Sequence, residues 1–195
     1  MIKTIIFDLN KVLVTYNKSS DNYLAKLGVG REEFWRDREQ ALEEYTLGNI
    51  TLDEFLSLQL KKSNLSLSKL KIAKELHESE LRVVEGISAL LKTLSKNFSL
   101  ILMAGEGKES LAIKLDKFNL RKYFSKIYAT CFSKMRKTEI SFYKLILEES
   151  RLQANEVLFI DDQLQYINAA QKLGIKTIKF ENVKQLISEI NKIIS

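Results

Sequence analysis

Three aspartates and a lysine stand out because each follows a short apolar run. Asp8 follows IKTIIF, Asp161 and Asp162 follow EVLFI, and Lys137 lies a few residues beyond KIYAT. Carboxylates gathered at one point repel one another unless a cation lies among them. A hard oxygen set with few protein ligands suits Mg²⁺, which keeps several waters and prefers carboxylate and phosphate oxygens. In such a set Asp8 can attack a phosphoryl group and form an aspartyl-phosphate intermediate. Lys137 can neutralise charge on the carboxylate and on the transferring group; Lys134 and Arg136 are its rivals for that role. Other chemistries find less support. His77 is the only histidine, reads as a solvated helix residue in KELHES, and builds no serine or cysteine triad. Cys131 is the only cysteine, which excludes an internal disulfide and a thiolate metal cage. GEGKES fails as a phosphate-binding P-loop, because Leu102 stands where that loop needs glycine.

These residues converge only if the apolar runs are neighbouring strands. Residues 2–7 carry no polar alternation, as expected of a strand buried on both faces. FSLILM (98–103), KIYAT (126–130), EVLFI (156–160) and IKTIKF (175–180) read the same way. Helical spacings lie between them: Val84, Ile87, Leu91 and Leu94; Leu111, Leu115 and Phe118; Tyr143, Ile146, Leu147 and Ser150; Leu164, Ile167, Ala170 and Leu173; and a last helix from Val183 to Ile194. Strands alternating with helices predict an α/β fold with a parallel sheet wrapped on both faces. Ligands then sit outside the carboxyl ends of the strands, where Asp8, Lys137, Asp161 and Asp162 would meet.

Residues 19–80 break the alternation. Phe34, Trp35, Ala41, Leu42 and Tyr45 fall on one helical face, and Phe34 and Trp35 read as core of that segment. TLDEFLSLQL opens a second helix with Thr51 and Glu54 as a capping box, and SLSKLKIAKELHES makes a third. The expected division is a core of residues 1–18 and 81–195 and a helical cap of residues 19–80.

The chain's 195 residues, 45% hydrophobic and 29% charged, describe a globular domain with a real core. The net charge of +6 is spread along the sequence without aromatic interleaving, which argues for a Lys-rich solvated surface and against a nucleic-acid groove. The N-terminal apolar run is too short for a signal segment or a membrane span, so a cytoplasmic protein is expected. The sequence contains no proline, and turns rely on Gly, Asn and Ser. It gives no oligomeric state.

FDLNKVLV, LILMAG, MRKTEISFY and LFIDDQLQYINAAQKLGI together resemble the four motifs of the haloacid dehalogenase-like hydrolase superfamily, in order and over essentially the whole chain. The branch that looks most similar holds sugar-phosphate phosphatases and the N-terminal phosphatase domain of epoxide hydrolases, where a segment like EEYTLGNITLDEFL is common. The resemblance implies a Rossmann-like five-stranded parallel sheet of order 5-4-1-2-3 with an inserted helical cap. It also implies a Mg²⁺-dependent phosphatase acting on a small phosphorylated metabolite. Asp8 would be nucleophile and metal ligand, residue 10 a ligand through its backbone carbonyl, and Asp162 a direct ligand. Asp161 would hold a metal-bound water, and Lys137 would be the motif-three lysine. Residues 104 and 105 would bind the phosphoryl group.

Two positions depart from that pattern. Residue 10 is usually the aspartate that protonates the leaving oxygen, and Asn10 has no titrating proton; loss of such a group costs roughly 10²–10⁴ in rate. Position 104 usually carries a hydroxyl, and Ala104 has none, which leaves the Gly105 N–H and the start of a helix near Lys108 to meet an anion. Thr138, where proline is usual, touches loop rigidity more than chemistry. A catalytically degraded member that binds a ligand or a protein partner is therefore the alternative expectation. A dehalogenase fits less well, because Asn10 and Ala104 do not match that branch either.

Overall fold

The computed structural model describes residues 1–16 and 21–194. Its seven strands are β1 (Thr4–Phe7), β2 (Val14–Tyr16), β3 (Leu81–Val83), β4 (Ser99–Ala104), β5 (Lys126–Ala129), β6 (Val157–Asp161) and β7 (Lys176–Lys179). Five form a parallel sheet of order β5-β4-β1-β6-β7, the order expected. β1 lies at its centre with all four residues buried. Its register sets Phe7 against Leu102 of β4 on one side and Ile160 of β6 on the other.

Side chains of successive strand residues point to opposite faces, and both faces are covered. Ile5 and Phe7 join the cluster that packs α6 (Ile87–Leu94), α7 (Lys108–Lys117) and α11 (Val183–Ile194). Ile6 joins the opposite cluster, with α9 (Ile140–Ser150) and α10 (Leu164–Gln171). A short α8 (Thr130–Ser133) caps the end of β5. Among the described residues, no helix is long and apolar enough to cross a membrane.

Between the first two strands of the main sheet, the chain leaves through β2 and returns through β3, an antiparallel pair with Tyr16 opposite Leu81. The expected boundary between residues 18 and 19 lies outside the described residues. The helices of the insert are α1 (Asp21–Leu27), α2 (Arg31–Phe34), α3 (Glu39–Thr46), α4 (Leu52–Lys62) and α5 (Leu70–Ser79). They share their own apolar cluster, which includes Leu27, Phe34, Tyr45, Phe55, Leu60 and Leu76. The capping box of α4 is present: Thr51 accepts from the Glu54 N–H at 3.2 Å, and Glu54 accepts from the Thr51 N–H at 2.7 Å. The single helical face expected for Phe34 to Tyr45 is divided between α2 and α3. Asp37 adopts a left-handed φ of 49° and breaks the helix, a conformation that Asp tolerates better than most residues.

Polar contacts dock the insert on the core. The Tyr45 hydroxyl donates to Ser110 Oγ at 2.7 Å and accepts from the Ser110 N–H at 2.9 Å. His77 Nε2 lies 2.7 Å from the same Oγ. Thr130 donates to the Thr46 carbonyl at 2.6 Å, Lys134 to the Gly48 carbonyl at 2.6 Å, and Arg136 pairs with Glu43. The Tyr45 ring lies so close to α7 that a β-carbon on Gly107 would come within 2.2 Å of its Cζ. Gly107→Ala is therefore expected to destabilise the protein by about 1–3 kcal/mol through overpacking, read as a lower denaturation midpoint in urea; an unchanged midpoint would mean that the insert does not dock here in solution.

Candidate active site

The register of β1 and β6 places Asp8 and Asp161 side by side. Phe7 faces Ile160, the Asp8 N–H donates to the Ile160 carbonyl at 2.9 Å, and each acid follows in its strand. Lys137 arrives from the segment after α8 and donates to Asp8 Oδ1 at 2.6 Å and to Asp161 Oδ2 at 2.5 Å. Its rivals are engaged elsewhere, Lys134 with Gly48 and Arg136 with Glu43. The Lys137 ammonium sits 4.6 Å from the Tyr166 ring centroid and 5.7 Å from that of Phe159, so aromatic faces complete its surroundings. Its aliphatic stem packs on Gly105, where a β-carbon would meet Cδ at 3.2 Å.

Asp8, Asp161 and Asp162 each offer a carboxylate oxygen within 4.8 Å of the others. Asp161 is fully buried, with one oxygen on Lys137 and the other accepting the Gln163 N–H at 2.8 Å. Asp162 is partly exposed, 3.7 Å from Lys11 Nζ. Gln163 is the N-cap residue of α10. Burial pushes the Asp8 carboxyl up to about 7; Lys137 pulls it down and Asp161 adds to the rise. Burial also raises Asp161 against the pull of Lys137. Burial alone would lower the Lys137 ammonium, but Asp8 and Asp161 outweigh it and the net direction is upward. One buried ammonium, Lys137, and the exposed Lys11 at Asp162 are still outnumbered by the three carboxylates, an excess that fits a hard divalent cation.

Asn10 faces a second buried cluster. Its amide N–H donates to Glu106 at 3.1 Å, and its amide oxygen accepts from Lys114 at 2.8 Å. Lys114 is wholly buried, pairs with Glu106, and donates to the Tyr16 hydroxyl at 2.8 Å. Burial would lower its ammonium, but Glu106 and Tyr16 reverse that and raise it.

Ala104 is buried in the apolar cluster under β4, so its side chain contributes packing and no polar group. Two N–H groups at the start of α7, the expected anion site, are already engaged. The Ser110 N–H goes to the Tyr45 hydroxyl, and the Gly107 N–H to Glu106 at 3.3 Å.

His77 differs from the solvated residue expected. Burial holds its imidazole down at about 4, assisted by Lys114. Ser110 accepts from Tyr45 and also shares a hydrogen bond with Nε2, whose direction depends on the imidazole tautomer, so a neutral His77 links insert and core. Glu106, Lys114, Tyr16 and His77 were not assigned to the site from the sequence. Their spacing carries no motif.

Two hollows open between insert and core and share Gly105. One of about 350 Å³ is lined by Lys137, Arg136, Thr138 and Tyr166. The other, of about 620 Å³, reaches from Asn10 and Glu106 up to Trp35, Leu42 and Phe55 of the insert. Trp35, expected as core, packs on Phe34 with ring centroids 4.7 Å apart and also lines this hollow.

A family model described as haloacid dehalogenase-like hydrolase matches residues 5–180. Among curated proteins, the chain is 25% identical to the sesquiterpene phosphatase astK of Aspergillus oryzae, over 98% of this chain and 96% of that protein. It is 23% identical to the drimenol cyclase drtB of Aspergillus calidoustus over 99% of this chain, and spans only 37% of that protein's length. Among solved structures, the HAD family enzyme bt-2542 of Bacteroides thetaiotaomicron, crystallised as a magnesium complex, superposes with a TM-score of 0.80. Its identity to this chain is 24%, with 93% of this chain and 94% of that one covered.

Protonation of Asp8 sets how a cation competes for the carboxylate cluster. Below about pH 7 the proton occupies Asp8, and above it the carboxylate is free. Mg²⁺ affinity is therefore expected to rise by up to about tenfold per pH unit below pH 7 and to level off above it, with proton release on binding at pH 6. Calorimetry in buffers of different ionisation enthalpy checks this, and Asp8→Asn should remove the proton release. A flat pH profile would mean that Asp8 is already ionised without the metal.

Proposed function

Because the chain belongs to the haloacid dehalogenase-like hydrolase family, we propose that it is a Mg²⁺-dependent phosphatase acting on a small phosphorylated metabolite through an aspartyl-phosphate on Asp8. The observation that carries this reading is the Lys137 ammonium held 2.6 Å from Asp8 and 2.5 Å from Asp161, with Asp162 completing the carboxylate cluster. Likeness to a phosphatase of matching length supports it. Asp8, Asp162 and the Asn10 carbonyl would hold the Mg²⁺, with Asp161 in support, and the helical insert would serve as the cap. The ion would supply neutralisation of charge on the phosphoryl oxygens.

The chain's own residues account for the steps as follows. An Asp8 oxygen attacks phosphorus, the bond from phosphorus to the alcohol oxygen breaks, and its electron pair leaves on that oxygen. Lys137 orients Asp8 and offsets the charge that builds on the transferring group. Water then attacks phosphorus, phosphate departs and Asp8 is regenerated. Asn10 has no proton to give, and the nearby Glu106 carboxyl is engaged by the Asn10 amide and by Lys114. The leaving oxygen therefore takes its proton from water, and esters of poor leaving groups react slowly. That same feature, with the missing hydroxyl at Ala104, favours a second reading in which the fold binds a phosphorylated ligand without turnover.

Acetyl phosphate separates the two, since its leaving group needs little acid assistance. Turnover of acetyl phosphate with Mg²⁺ is expected of the phosphatase, and its absence would establish the binding reading. In the phosphatase, Asn10→Asp should raise hydrolysis of para-nitrophenyl phosphate by about 10²-fold and acetyl phosphate turnover far less. No gain on the ester would shift the deficit to Ala104 or to the repulsion between a carboxylate at position 10 and Glu106, which Asn10→Asp combined with Glu106→Gln separates.

A further inference from the structure

The 620 Å³ hollow is of a size that encloses a small organic ligand. Its floor, at Asn10, Gly105 and Glu106, adjoins the Lys137 hollow across Gly105. A substrate with its phosphoryl group at Asp8 would thus direct its remaining moiety here. The walls contain many polar residues, and several of them are already engaged. Arg31 pairs with Glu80. Tyr45 and His77 both meet Ser110. Tyr16 and Glu106 are held by Lys114 and by Asn10. Arg38 lies over the Trp35 ring, 5.3 Å from its centroid.

A sugar or other polyol entering this space would give up its hydrogen bonds to water and find few in return. Each hydroxyl buried without a partner costs roughly 1–3 kcal/mol. Apart from the Arg38 guanidinium and the Glu32 and Glu39 carboxylates, what the walls offer is carbon: the indole of Trp35, Leu42, and the rings of Tyr45 and Phe55. Those two rings stack at 5.4 Å and 9°, and Trp35 lies nearly parallel to Phe55 at 6.3 Å and 17°. Glu32 and Glu39 at the rim add negative charge and disfavour a second anionic group.

We propose that the hollow receives the apolar moiety of a phosphorylated alcohol, a hydrocarbon or aryl group, and selects against phosphorylated polyols. The proposal rests on the phosphatase reading for the position of the phosphoryl group. Leu42 and Trp35 are then specificity-determining residues.

The test compares kcat/KM for octyl phosphate, kept below its aggregation concentration, with that for glycerol 3-phosphate and glucose 6-phosphate. All three leave as primary alcohols, so their demand for an acid is similar. Octyl phosphate should be favoured by about tenfold or more, and Leu42→Gln should bring the ratio toward one. Trp35 is the only tryptophan, so its emission reports occupancy without turnover. It should shift to shorter wavelength with octyl phosphate and Mg²⁺ and stay unchanged with glycerol 3-phosphate. Equal or better use of the polyol phosphates, alongside turnover of acetyl phosphate, would overturn this proposal and leave the phosphatase reading intact. No turnover of any phosphate, with a Trp35 response to octyl phosphate alone, would overturn the phosphatase reading and leave the apolar pocket standing. No turnover and no Trp35 response would overturn both.

Discussion

The site depends on a single ammonium held between two buried carboxylates. Lys137 bridges Asp8 and Asp161, which the parallel register of β1 and β6 sets side by side. A slip of one residue in that register would turn one acid to the opposite face of the sheet and dissolve the arrangement. With both strands buried on both faces, such a slip would also misplace Ile6 and Phe159 from one core layer to the other. The apolar packing that stabilises the sheet therefore fixes the polar geometry at its edge. The three carboxylates still outnumber the ammonium groups of Lys137 and Lys11, and burial, with Asp161 adding to it, raises the Asp8 carboxyl.

A few residues away the opposite solution is found. Lys114 and Glu106 form a buried pair whose remaining hydrogen-bonding capacity is taken up by Asn10, Tyr16 and the Gly107 N–H. Removing one partner of such a pair strands a buried charge, at a cost of roughly 3–5 kcal/mol. An amide suits position 10 because it donates to Glu106 and accepts from Lys114 at once. A carboxylate would set a second negative charge against Glu106. Asn10 and Glu106 thus form a matched pair, and the loss of an acid at position 10 belongs to the internal chemistry of this network.

Much of this was legible in the sequence. The apolar runs are short, β-branched and separated by helical spacings, so a parallel sheet with Asp8, Asp161, Asp162 and Lys137 meeting at its edge was readable from pattern, while the strand order came from the family resemblance. The Thr51–Glu54 capping box is a local signal and was readable as such. What escaped was set by tertiary contact. The break at Asp37 is a backbone choice that apolar spacing does not encode. Glu106 precedes α7 while Lys114 lies two turns inside it, so no helical spacing announces their pairing. His77 reads as solvated on its own helix and becomes buried only because Ser110, from a distant segment, closes over it.

The docking of the insert and the character of the larger hollow have a common origin. Tyr45 and His77 reach across to Ser110, and Arg31 ties α2 to Glu80 at the end of α5. Tyr45 and His77, bonded to Ser110 across the interface, and Arg31, paired with Glu80 within the insert, are groups that would otherwise face the hollow. Water-exposed polar groups would make the space hospitable to a polyol; groups spent on docking leave ring faces and aliphatic carbon instead. A more firmly seated insert therefore means a more apolar pocket, and any change that frees Tyr45 or His77 from Ser110 would loosen the interface and add hydrogen-bonding capacity to the wall together.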